Sequence, residues 1–318
     1  MEWFATLFSD LQGWLFETLL QPLMFDLGLG NLLEDGYTAT GWLLVGLLQL
    51  TVLLAVIGPL ERWRPVQLVP DRAAVRVDII YTLIHRLGLI QVLLFFTLDP
   101  LFDQLFGALR VVGWQSFQLD AWWPGISDLP WVSLLLYLVV LDFVGYWVHR
   151  GQHQWQWWWR LHALHHAQQS MTMWSDNRNH LLDDILQAAI FVLVAQFIGI
   201  APGQFVVIVA LTQLSESFQH ANLRLWFGAV GERLWVSPRF HRRHHAIGIG
   251  HESPGNSRLG GCNFGVLLPC WDIAFGTANF ELRFDPTGVR DQVEQGRDYG
   301  QGFWSQQWLG LKRLAGRA

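Results

Sequence analysis

The stretches HRGQH (149–153), HALHH (162–166) and PRFHRRHH (238–245) hold eight of the twelve histidines in the chain. His149 and His153 are four residues apart, so on a helix they lie one turn above each other on a single face, a spacing suited to gripping one ion. His162 precedes His165 and His166 by three and four residues, and that adjacent pair points about 100° apart on a helix of about 3.6 residues per turn. Such a pair can serve two different ions. The same H-x-x-H-H pattern returns at His241, His244 and His245, where Ser237–Pro238 supplies a cap and a first-turn proline. Gly248 and Gly250 are expected to end that helix. His220 closes the last apolar segment, and His180 closes the polar stretch TMWSDNRNH. A lone histidine is usually a hydrogen-bonded core or surface residue. Eight in matching clusters would repel one another if protonated, whereas ligation keeps them neutral and supplies the missing attraction. An all-nitrogen set suits zinc, iron, copper or nickel. It exceeds the four or so ligands of a structural zinc, so two ions are expected.

Nearby carboxylates are expected to orient ligands. Asp142 lies seven residues before His149 on the same helical face and is assigned the outer N–H of a ligand histidine. Glu216, four before His220, is given the same task, and Asp183 follows His180 by about one turn. His85 stands beside Arg86 inside an apolar run, facing a crevice or the site. His251, in GIGHESPGNSRLGG, reads as a surface residue, and the tryptophans of WQWWW (155–159) read as an interfacial belt or a lipid entrance.

The elements that must position these groups are membrane helices. The 318 residues are 52% hydrophobic and only 15% charged, and Gly41–Leu60, Val77–Leu98 and Trp131–Val148 approach the roughly 20 residues of a spanning helix. Asp183–Gly199 and Gln204–His220 are shorter and parted by Gly199, Pro202 and Gly203; they form a re-entrant hairpin or one imperfect span. The expected fold is therefore all-α: a membrane bundle of about four spans, the last a span or a hairpin, under a helical cap that holds a histidine-rich dimetal site. Residues 1–40 read as an interfacial segment, 41–318 as one domain with a core at 142–277, and 303–318 as an amphipathic tail with Trp304, Trp308 and Leu311 toward lipid. No Lys or Arg precedes Arg62, while Arg62, Arg64, Arg72 and Arg76 crowd the first link. The positive-inside rule then puts that link, and two crossings later the histidines, in the cytoplasm. Cys262 and Cys270 are expected as free thiols there. With net charge −5 and no basic run beyond the short KRLAGR tail, nucleic acid is excluded as a partner.

Taken together, DFVGYWVHRGQH (142–153), WRLHALHH (159–166), RNHLLD (178–183), FQHANL (218–223), SPRFHRRHH (237–245) and NFGVLLPCWDIAFGT (263–277) resemble the fatty acid hydroxylase, or sterol desaturase, superfamily of integral membrane oxidases. The resemblance implies a non-haem di-iron centre, two Fe ions with dioxygen as co-substrate, that hydroxylates or desaturates a lipid drawn from the bilayer. It places ligands at His149, His153, His162, His165, His166, His241, His244 and His245, with His220 as a further ligand. His180 falls at the family's R-x-H position and Asp183 where Glu is usual, so both, with Asp142, are counted as catalytic candidates. The chain carries no haem motif and no G-x-G-x-x-G fingerprint, so electrons must come from a separate donor protein.

Two rivals accompany this reading. A zinc-dependent membrane hydrolase would use metal-activated water and turn over without oxygen, yet leaves the number of histidines unexplained. A metal carrier would line a transmembrane path with ligands, whereas here the clusters sit on polar stretches to one side.

Overall fold

The computed structural model describes residues 2–248 and 260–317; His251, Gly250 and most of their loop lie outside the described residues. The apolar runs become helices, and no strand forms among the described residues, only isolated bridges. After the amphipathic helix α1 (Glu2–Leu15), the first span α2 runs Gly30–Trp63. It begins eleven residues before the expected Gly41: a tighter turn at Gly30–Leu32 leads into the α-helix from Leu33, whose first turn carries Glu34 and Asp35, favourable at a helix N-terminus. Its turn widens over Leu53–Ile57, just ahead of Pro59, which has no N–H to give the ladder.

The second apolar run is not one straight helix. α3 (Arg72–Arg86) and α4 (Leu89–Thr97) meet at 55°, and between them Gly88 adopts φ 81°. That left-handed backbone suits glycine and redirects the chain. At this bend α3 crosses α2 so closely that a Cβ on Gly46 would stand 1.6 Å from the Arg86 carbonyl oxygen. Only a glycine lets the two backbones meet there. α5 (Asp99–Val111) then lies against α4.

α6 (Pro130–Gln154) is a 25-residue span and continues into α7 (Gln156–His166). α8 (Leu181–Ile198) and α9 (Pro202–Gln219) are the two expected short helices, turned at Gly199 with φ 74°. Among the described residues three helices, α2, α6 and α8, are long and apolar enough to cross a membrane, and counting the bent pair α3–α4 as one span gives a fourth. Tyr137, Leu138 and Leu141 of α6 pack with Ile198, Ile208 and Leu267, so both α8 and α9 lean on α6. A second cluster, Leu53, Ile57, Met173, Ala221 and Leu223, fastens the cap loops to α2.

The cap gathers at the C-terminal ends of α6 and α9 and the start of α8, with α7, α10 (Pro238–His244) and α11 (Phe303–Leu314). α11 packs on α7, where Arg313 donates to the Arg160 carbonyl and Arg160 to that of Leu314; Gln306, Gln307, Gly310 and Arg313 are buried, while Trp304, Trp308 and Leu311 face outward. The WQWWW tryptophans divide: Trp155 and Trp157 are exposed and stacked, but Trp158 and Trp159 are buried in the cap.

Candidate metal centre

Each histidine cluster becomes a helical face. His149 and His153 end α6, His162, His165 and His166 occupy α7, and Ser237 caps α10 by accepting the Phe240 N–H at 3.0 Å, which places His241, His244 and His245. α10 stops at His244, before Gly248. His220 follows the last turn of α9.

The nine rings meet in two sets. His149, His153, His162, His166 and His244 form one, and His165, His220, His241 and His245 the other, with the candidate ligand atoms of each set within 4.8 Å of one another. The adjacent pairs His165–His166 and His244–His245 split between the sets, as their divergence on a helix requires. In the second set Nε2 atoms approach in sequence: His165 to His220 at 3.1 Å, His220 to His241 at 3.0 Å, His241 to His245 at 3.1 Å. In the first, Nε2 of His162, His166 and His244 are buried without a hydrogen-bond partner. Converging neutral nitrogens of this kind fit two transition-metal ions, which would satisfy atoms otherwise costly to bury.

Four of the candidate ligand rings are fixed from behind. His149 Nδ1 donates to the Phe264 carbonyl at 3.0 Å, His162 Nδ1 to Asp183 Oδ2 at 3.2 Å, His220 Nδ1 to the Glu216 carbonyl at 2.7 Å, and His244 Nδ1 to the Cys262 carbonyl at 2.8 Å. Each bond selects the tautomer whose Nε2 lone pair faces the site. Burial, and then the neighbouring imidazoles, hold His165, His166, His241 and His245 well below the ordinary 6.5. Burial also pushes His244 down to about 3, against the opposing pull of the Cys262 carbonyl. The rings are therefore neutral donors, ready to ligate.

Asp142 does not have the partner expected of it. Seven residues put it on the same face as His149, but about 10.5 Å away along the axis. Its carboxylate instead accepts Leu267 N–H at 2.7 Å, Leu268 N–H at 3.2 Å and Trp271 Nε1–H at 2.8 Å. Asp272 accepts Phe264 N–H at 2.8 Å and Gly265 N–H at 2.7 Å. These two acids pin the NFGVLLPCWD loop, whose Phe264 carbonyl orients His149, next to Cys262, whose carbonyl orients His244. Asn263, at φ 60°, turns that loop and hydrogen-bonds the carbonyl of Phe240 on α10.

His180 also stands outside both sets. Its Nδ1 accepts Leu182 N–H at 3.1 Å, capping α8, and its Nε2 donates to the Gln307 carbonyl at 2.9 Å, seating α11. Both of its ring nitrogens are thus engaged in holding helices. Asp183 is the carboxylate that meets a ligand, and it also accepts Gln152 Nε2–H at 2.9 Å and Trp158 Nε1–H at 2.6 Å. Glu216 orients His220 through its backbone oxygen, not its carboxylate, because a ring four residues on reaches the helical carbonyl first. His85 lies 3.3 Å from Asp184 and away from both sets. Sequence reasoning missed Gln152, Trp158, Asp272 and Asp176, whose Oδ1 is 3.6 Å from His220 Nδ1. The polar stretch TMWSDNRNH was the available signal for Asp176.

A cavity of about 340 Å³ opens beside the rings. His149, His162, His165, His220 and His241 form part of its wall, and Leu141, Phe191, Phe205, Ile208 and Val209 line it elsewhere.

The fatty acid hydroxylase family matches residues 134–277. The chain is similar to the ornithine lipid hydroxylase OlsE of Rhizobium tropici, 28% identical over 55% of this chain and 50% of that one. It is 26% identical to the alkylglycerol monooxygenase of Caenorhabditis elegans, over 56% of this chain and 32% of the relative. It is also 26% identical to the methylsterol monooxygenase 1-3 of Arabidopsis thaliana, over 56% and 60%. The matches thus span less than two thirds of each relative's length. No solved structure matches the chain.

Proposed function

We propose that the chain, which matches the fatty acid hydroxylase family over residues 134–277, is a membrane-bound lipid hydroxylase with a non-haem di-iron centre. The observation that carries the reading is the pairing of nine buried imidazoles, in two adjoining sets, with a cavity whose far part is apolar. Bound iron would supply the activation of dioxygen: one oxygen atom enters a lipid C–H bond and the other leaves as water, with two electrons and two protons consumed.

The chain itself has three tasks. His149, His153, His162, His166 and His244 would hold one ion and His165, His220, His241 and His245 the other, at fixed tautomers. Leu141, Phe191, Phe205, Ile208 and Val209 bind the alkyl part and keep water from the reacting carbon. The hydrogen bonds from Gln152 and Trp158 hold Asp183, and through it His162, in place as charge changes at the site. A separate protein supplies electrons, and the arginines at 62, 64, 72 and 76 favour a cytoplasmic site. The similarity to lipid-modifying enzymes supports a lipid substrate.

The test is metal content and oxygen uptake of purified protein, wild type against His162→Ala and His165→Ala. The expected wild-type result is close to two irons per chain with uptake on reduction. Each variant should lose metal and activity. Stoichiometric zinc with no oxygen uptake would overturn the reading in favour of a hydrolase.

A further inference from the structure

The cavity-facing side chains of α9 change character with distance from His220. Gln219, Glu216, Gln213 and Thr212 come first, followed by Val209, Ile208 and Phe205. At about 1.5 Å per residue the polar part reaches roughly 12 Å from His220. α8 repeats the order from its cap end, with Asp184 and Gln187 before Ala188, Phe191 and Val192. A polar collar therefore adjoins the metal-binding rings and an apolar sleeve lies beyond it. An amphiphile fits such a space with its head beside the rings and its chain in the sleeve.

Within the collar one acid stands apart. Asp142 is held by three N–H donors, Asp176 by Arg86 and Ser217, and Asp184 lies 3.3 Å from His85. Glu216 is half-buried and faces the cavity, and among the described residues its carboxyl group makes no hydrogen bond and no close ion pair, the Arg86 guanidinium attracting it only at longer range. Arg86, on the neighbouring helix, directs its guanidinium to Gln213, Ser217 and Asp176. A partly desolvated carboxylate without a donor is unfavourable. A ligand that carries the donor removes the deficit.

We infer that Glu216 selects lipids bearing an amine within a few bonds of the carbon that is oxidised. The inference rests on the lipid-hydroxylase reading of the same cavity. Glu216 touches the head group; its backbone oxygen continues to hold His220 whatever the side chain is.

The experiment measures binding of radiolabelled hexadecylamine and hexadecanol to the metal-loaded protein in phosphatidylcholine nanodiscs, with empty nanodiscs subtracted. Wild type should prefer the amine by roughly tenfold or more, the factor expected of a hydrogen bond to a charged group. Glu216→Gln should bring the two probes to within about threefold, with wild-type metal content. Val209→Trp, which fills the sleeve, should weaken both probes alike. An amine preference that survives Glu216→Gln while Val209→Trp blocks both probes overturns the role of Glu216 and leaves the cavity reading intact. Loss of metal in Glu216→Gln, or no preference in wild type, also overturns it. Probes indifferent to Val209→Trp would remove the lipid reading of the cavity itself.

Discussion

Asp183 Oδ2 lies 3.2 Å from Nδ1 of His162, and the other oxygen of the same carboxylate accepts hydrogen bonds from Gln152 and Trp158. The acid is fully buried, so its charge is compensated by these donors and by the ring it orients. In Asp183→Asn one oxygen must serve three donors, and the amide N–H₂ opposes one of them. Metal affinity of the first histidine set should fall about 10–100-fold. Chelator titration of the variant checks this, and unchanged affinity would show that His162 needs no carboxylate behind it.

Asp142→Asn should act on the fold before it acts on the metals. Its three donors belong to residues 267–271, and leaving a buried donor unmet costs roughly 1–3 kcal/mol. The melting temperature should fall. Metal loss, where it occurs, should favour the first set, since the Phe264 and Cys262 carbonyls hold His149 and His244. A variant with normal melting but both ions lost would contradict this division.

His180→Ala should keep both metals. It removes a helix cap, worth about 1 kcal/mol, and the N–H donor that seats α11 on the Gln307 carbonyl. Hydrogen exchange in residues 303–314 should quicken while iron per chain stays at the wild-type value. Iron lost in proportion to the substitution would return His180 to the catalytic group.

Acidification should destabilise the protein. His165, His166, His241, His244 and His245 have folded values depressed below 6.5, so on acidification the unfolded chain binds protons that the folded chain refuses. Stability is thus complete above the unfolded value and is lost as the pH falls through about 6.5. Metal release should follow the same direction, because protons compete for the ligand nitrogens. Melting curves between about pH 8 and 5, with and without chelator, test it. A flat profile would mean that these rings are not buried as neutral bases.

The histidine pattern was legible in the chain because ligand spacing is a local property of helices. Residues four apart share a face and adjacent residues diverge, so His149 with His153, and His165 against His166, could be read from numbering alone. Long apolar runs announced the spans for the same reason, since a bilayer demands contiguous residues. The bend at Gly88 was less legible, as a single glycine inside an apolar run permits a left-handed turn without requiring one.

Contacts between distant segments were decided by the tertiary structure. Asp142 and Leu267 are 125 positions apart and His180 and Gln307 are 127, so no local periodicity relates them. Which carboxylate meets a ligand ring, which carbonyl fixes its tautomer, and which acid is left facing the cavity depend on how the helices pack. The residue types determined that histidines with metal-ligand spacing lie beside long apolar helices; the packing alone determined that Asp183, and not Asp142 or His180, stands behind a ring of the two histidine sets.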